Sequence, residues 1–203
     1  MVSIRVIARD AMNITMVAER IPLAKVLVAG ATNVGKTSLV NSLVFKEFTE
    51  VTPTIGVNFA QKICHGKTGP INLSIWDLSG QERFQCLMPR FCQGATGVAL
   101  VFDVTKPESL ETASQWLEFI ASWNTCHGNQ AIVLVGNKND LHPTISQKAI
   151  QLFCARHQIA DYITCSAKTG KNVKRVFDTL CSVLQHNKLV FTEYAPSLAH
   201  TPT

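Results

Sequence analysis

The chain has 203 residues and a formal net charge of +5, enough length for one complete core and too little for two comfortable domains. That charge is spread without a basic cluster, which reads as a solvated surface and argues against direct nucleic-acid binding. No apolar stretch reaches the roughly 18 residues of a membrane-spanning helix.

In chain order, residues 1–23 form an N-terminal extension of unknown role. Arg5, Arg9 and Arg20 suggest a transit peptide, but Asp10 and Glu19 oppose it, and an appended strand or helix, or a start at Met12 or Met16, fits better. The domain proper is expected over 24–186, followed by a tail over 187–203. Its first strand is the apolar run 25–29, which leads directly into Gly30-Ala31-Thr32-Asn33-Val34-Gly35-Lys36-Thr37. Residues 38–45 then start a helix. Strands at 58–64 and 71–77 are joined by the turn 65–70, a hairpin. A helical segment over 82–93 contains Pro89, which should break or kink it. A buried strand at 97–103, a helix at 110–123 and a strand at 131–135 follow. The last elements are a helix at 146–157 with Ser146 as its N-cap, a strand at 162–165 and a helix at 172–184. Alternation of strand and helix is the pattern of an α/β fold. Seven cysteines, odd in number and with no C-x-x-C pair, read as reduced core thiols in a cytoplasmic or nuclear protein.

The string Gly30 to Thr37 fits GxxxxGK[ST] between a strand and a helix, the context in which backbone N–H groups cradle a polyphosphate. Thr32, Asn33, Val34, Gly35, Lys36, Thr37 and Ser38 line such a cradle, where the helix dipole favours negative charge. Lys36 would reach the β and γ phosphates, and the Thr37 hydroxyl would ligate Mg²⁺. A chance Gly/Lys/Thr coincidence would give the same string, so the other loops carry the test. Asn137-Lys138-Asn139-Asp140 ends the strand at 131–135, and Asp140 can accept the ring N–H and exocyclic amine of guanine while rejecting adenine. Asn137 either binds the purine edge or ties neighbouring loops, and the Lys138 stem can cover the base. Ser166-Ala167-Lys168 would offer a backbone N–H to the guanine oxygen. Asp77, at the end of its strand, can hold Mg²⁺ through water, the Gly80 N–H can sense the γ-phosphate, and Gln81 can orient an attacking water. Thr54 offers a second Mg²⁺-ligating hydroxyl. Loops that grip the same phosphate lose that grip on hydrolysis.

These four constellations, in this order, make the chain resemble a small GTPase of the Ras superfamily over residues 24–198. The resemblance implies a P-loop NTPase fold, a six-stranded, mostly parallel sheet with helices on both faces, and nucleotide at the carboxyl ends of the strands. It implies GTP and GDP as ligands with Mg²⁺, and GTP hydrolysis in which Lys36 stabilises charge and Gln81 positions water. An exchange factor, an activating protein and effectors are the expected partners of a monomer. No cysteine lies in the last twenty residues and Val2 follows the initiator, so neither prenylation nor myristoylation is expected.

That reading favours the Ran branch, with nuclear transport receptors as partners, over a Rab-like vesicle-traffic role. Leu189-Val190-Phe191 with Ala195-Pro196-Ser197-Leu198-Ala199 is similar to the start of Ran's extension, and residues 69–77 resemble its second-switch strand. Lys46-Glu47-Phe48 resembles its entry to the first switch and would set Phe48 against the guanine edge. Against this, Ran's acidic terminus is missing and its basic patch is reduced to Lys148 and Arg156, while Ile55-Gly56-Val57-Asn58-Phe59 and Phe91-Cys92-Gln93-Gly94-Ala95 resemble Rab. A first switch one residue shorter than that of Ras, with Ser79 in place of the usual alanine before Gly80, implies slow intrinsic hydrolysis. Two alternatives remain, a P-loop ATPase or kinase, which Asp140 opposes, and a GTP-binding scaffold with little hydrolysis.

Overall fold

The computed structural model describes residues 6–7, 21–48, 51–123, 130–159 and 161–190. Most of the N-terminal extension, and the Ran-like tail segment beyond residue 190, lie outside the described residues.

The strands are β1 (Val6–Ile7), β2 (Leu23–Ala29), β3 (Val57–Gly66), β4 (Gly69–Leu78), β5 (Gly97–Asp103), β6 (Ala131–Asn137) and β7 (Asp161–Thr164). They form one sheet in the order β1-β3-β4-β2-β5-β6-β7. Only the β3–β4 hairpin is antiparallel, and β2, β5, β6 and β7 pair in parallel. The six-stranded, mostly parallel sheet is therefore present, and β1 adds two residues to its edge opposite Phe59 and Ala60.

Alternation along the strands builds two cores. Val26, Val28, Ala99, Val101, Val133 and Val135 face α1 (Lys36–Phe45) and α5 (Val173–His186), meeting Leu39, Val176, Phe177 and Leu180. Leu27, Ala29, Val98, Leu100, Phe102 and Leu134 face the other way, against α2 (Met88–Cys92), α3 (Pro107–Trp123) and α4 (Gln147–Arg156). Every residue of β5 is buried, which is why that strand reads as one apolar run rather than as an alternation.

Three details refine the expected elements. Ser146 caps α4 by accepting the Ala149 N–H at 3.2 Å, as its sequence position indicates. The segment after Gln81 is a 3₁₀ turn, Glu82–Leu87, followed by α2. The break thus falls before Pro89, which occupies the first turn of α2, where its missing N–H leaves no helical bond unmade. Helix α1 begins at Lys36, two residues earlier than expected, on a left-handed Gly35 with no side-chain cap.

Candidate functional site

All four constellations lie on loops at the carboxyl ends of β2, β4, β6 and β7, with Thr54 reaching them from the segment before β3. The loop after β2 is shaped by backbone that few residues tolerate. Gly30 has φ +140, and a Cβ there would sit 2.1 Å from the Val101 carbonyl oxygen. Asn33 has φ 64, a conformation asparagine adopts more readily than most residues. Gly35, at φ +91, leaves space for the Asn137 amide, which would lie 2.4 Å from an added Cβ. The uncapped N–H groups of α1 therefore face the loop, as an anion-binding helix start requires.

Lys36 is buried and curls over this loop, donating to the carbonyls of Gly30 at 2.8 Å and Ala31 at 2.7 Å. Burial pushes its ammonium down to about 8, with the Asp77 carboxylate acting in the opposite direction. Thr37 donates to Asp77 Oδ2 at 2.6 Å and lies 2.7 Å from the Thr54 hydroxyl. Burial pushes the Asp77 carboxyl up to about 6, against the hydrogen bond from Thr37, the charge of Lys36 and the contacts of Asn58 and Thr54. Among the described residues Asp77 Oδ1 is buried with no hydrogen-bond partner. Two hydroxyls and an unsatisfied carboxylate oxygen form an all-oxygen donor set that suits Mg²⁺. Thr37 and Thr54 would hold the ion directly and Asp77 through water, and the added positive charge would favour the ionised carboxylate.

Asn137 proves to be a tie between loops. Its amide donates to the carbonyls of Val34 at 2.9 Å and Gly35 at 3.4 Å, and its Oδ1 accepts the Ala167 N–H at 3.0 Å. The Lys138 ammonium is fixed between the Asn33 carbonyl and Asp103 Oδ2, both at 2.7 Å, so its stem is stretched along the loop mouth. Asp140 is exposed and oriented by a 2.6 Å bond from the Ser166 hydroxyl to Oδ1, leaving its second oxygen for a ligand. The Ser166 N–H goes to the Lys171 carbonyl. With Ala167 bonded to Asn137, two of the three residues that could supply the one N–H expected for the guanine oxygen already have protein partners for theirs. Phe48 is exposed and stands outside this network.

On the phosphate side, Gly80 lies against the first loop. A Cβ there would approach the Thr32 nitrogen at 2.5 Å and the Ala31 carbonyl carbon at 2.6 Å. Ser79 is buried; its N–H reaches the Gly56 carbonyl at 2.9 Å, and its hydroxyl accepts the Gln81 N–H at 3.3 Å. Gln81 lines the same cleft as Lys36, Thr37 and Thr54, but its Oε1 accepts from Arg83 Nε at 2.8 Å.

Sequence reading missed Asp103, Asn58 and Arg83. Asp103 left one signal, a carboxylate closing a fully apolar strand. Burial opposes its ionisation, but Lys138 and Thr105 outweigh this and hold it below the usual carboxylate range. It also missed an aromatic chain across the hairpin. Phe59 and Trp76 meet edge-on at 4.3 Å between centroids, Phe91 of α2 lies 5.9 Å from Trp76, and the Lys25 ammonium sits 3.8 Å above the Trp76 ring.

Comparison with known proteins agrees with this geometry. Residues 25–186 match the Ras family. The chain is 37% identical over 172 residues to the Ras-related protein RABG3f of Arabidopsis thaliana, covering 81% of this chain and 84% of that protein. Identity is the same, over the same shares, to the Ras-related protein Rab7 of Pisum sativum. It is 36% over 161 residues to the Ras-related protein Rab-7b of Mus musculus, covering 78% and 80%.

Proposed function

Because this chain belongs to the Ras family of small GTPases, we propose that it acts as a Rab-type switch in vesicle traffic, selecting effectors by its bound nucleotide. It binds GTP and GDP with Mg²⁺ and hydrolyses GTP to GDP and phosphate. As in the family generally, exchange factors, activating proteins and effectors act on it. Among the described residues no helix is long and apolar enough to cross a membrane.

The observation that carries the Rab reading is the identity of the relatives. Those named above are Rab proteins, and the likeness to Ran inferred from the tail, residues 69–77 and Lys46-Glu47-Phe48 finds no support among them. The aromatic chain favours the same reading. Phe59 and Trp76 sit on the strands joining the two switch segments and Phe91 follows the second, so a partner resting on these rings touches both. Aromatic anchors of this kind dominate protein interfaces.

In the proposed chemistry Lys36 and the loop N–H groups neutralise charge building on the phosphates, and Asp140 selects guanine. Thr37, Thr54 and Asp77 would hold Mg²⁺, which would supply further positive charge against that of the phosphates. Gln81 orients water for in-line attack once it releases Arg83. That engagement, together with the Ser79 turn, supports slow intrinsic hydrolysis; a single-turnover rate at or above that of a typical Ras protein would defeat this part of the reading.

The test is a pulldown with the full chain loaded with GDP or a non-hydrolysable GTP analogue. Tethering or coat proteins retained only with the analogue, and lost in Trp76→Ala, support the proposal. Nuclear transport receptors in their place would restore the Ran reading, and equal binding in both states would favour a scaffold.

A further inference from the structure

The turn after β4 holds Gln81 by three of its atoms. Its N–H donates to the Ser79 hydroxyl at 3.3 Å, its carbonyl accepts the Phe84 N–H at 3.1 Å, and its side-chain Oε1 accepts from Arg83 Nε at 2.8 Å. The first two bonds shape the backbone. The third alone restrains the amide that would meet a water.

Arg83 is held from a second side as well. Its guanidinium carbon lies 4.8 Å from the centre of the Phe84 ring, and Phe84 is half-buried against the core beneath α2 and α3. A planar guanidinium that rests on an aromatic face while donating to an amide is preorganised for that bond, which a lysine reproduces poorly.

We propose that Arg83 is a brake on GTP hydrolysis, a positioning residue that pins the Gln81 amide and must let go before Gln81 can orient the attacking water. The inference rests on the role assigned to Gln81 above. Oε1 is the acceptor atom of that side chain, and orienting a water requires it to accept one of the water's hydrogens. Its second lone pair stays open, so the bond from Arg83 does not remove the acceptor; it fixes the direction in which the amide points. Gln81 lines the same cleft as Lys36, Thr37 and Thr54, so release asks for rotation of its side chain and leaves the two backbone bonds in place. Arg83 is exposed, and an exposed bond of modest net strength leaves roughly one Gln81 in three to ten free at any moment.

The experiment is single-turnover hydrolysis of GTP by the full chain, with GDP release and melting measured alongside. Arg83→Ala should hydrolyse GTP roughly 3- to 10-fold faster than wild type while releasing GDP and melting as wild type does, and Arg83→Lys should fall between the two. Gln81→Ala should be slower than wild type, and the double variant Gln81→Ala/Arg83→Ala no faster than Gln81→Ala. An Arg83→Ala rate equal to wild type overturns the proposal, and a lower rate does so by making Arg83 a residue that assists the reaction. Faster GDP release or a lower melting point without faster hydrolysis would give Arg83 a structural role only and overturn it equally. Acceleration that persists in the double variant also overturns it, because the effect then bypasses Gln81. Should Gln81→Ala hydrolyse as wild type does, the role of Gln81 itself fails, and that variant alone tells the two failures apart.

Discussion

Replacing Asn137 with alanine separates holding the loops from reading the base. The side chain makes bonds of 2.9 Å to Val34, 3.4 Å to Gly35 and 3.0 Å from Ala167, at a position 1% exposed. Alanine strands the Val34 carbonyl and the Ala167 N–H, each costing about 1–3 kcal/mol if left dry, so about 2–4 kcal/mol together once water reaches the loop. In a chain of this size each kcal/mol moves Tm by about 2–4 °C, so the nucleotide-free protein should melt about 4–16 °C lower. If the tie preorganises the site, the same energy is the ceiling on lost affinity. GDP release then accelerates by roughly 30-fold to several hundredfold at most. Melting curves and release of a fluorescent GDP measure both effects, and competition with ADP and IDP measures base choice. Preference for guanine should survive, because Asp140 keeps its geometry. An unchanged melting point with lost guanine preference would refute the tie and make Asn137 a base-reading residue.

Asp140→Asn replaces an acceptor with a donor, so GTP affinity should fall about 10- to 200-fold while xanthine nucleotides, with a carbonyl in place of the exocyclic amine, gain; equal GTP binding by titration would contradict the assignment. Gly30→Ala places a Cβ 2.1 Å from the Val101 oxygen at a left-handed φ, and should lower urea stability by at least about 2–3 kcal/mol; a neutral result would mean that β2 and β5 separate freely. Asp103 titrates below its usual range when folded, so its ionised form stabilises the fold above the unfolded pKa of about 4 and this is lost as acid takes the pH down through the folded value. The stability gap between wild type and Asp103→Asn should therefore shrink from neutral pH toward about pH 3, and a gap that widens in acid would reverse the sign.

What could be read from the residues follows the range of the forces involved. The run at residues 97–103 announces a buried strand because local sequence alone determines how a doubly covered strand looks. The glycine-rich loop is legible because Gly30 and Gly35 answer backbone requirements written at fixed spacing. The role of Asn137 was not, since both uses need the same amide and only the placing of the end of β6 between the first loop and the segment after β7 decides between them. The Lys138–Asp103 ion pair is equally silent, because it joins two strand ends 35 positions apart through space. The early start of α1 has a related cause. Sequence rules look for a side-chain cap, and at Gly35 the expected cap is the phosphate itself.

The same geometry explains how one bond broken in GTP could reach a partner. Thr54 touches Thr37 at the metal site, and Gly80 presses on Ala31 and Thr32 across the cleft. The Ser79 N–H to Gly56 carbonyl bond joins the two segments directly, just before β3 and just after β4. Each segment thus rests on the phosphate loop and on the other, so on the proposed reading loss of the γ-phosphate would remove a contact from both together. Phe59 follows the first segment by three residues and Trp76 precedes the second by three. On that reading a partner seated on those rings would span two loops that switch as a pair, and its differential affinity would be the free energy by which it favours one state.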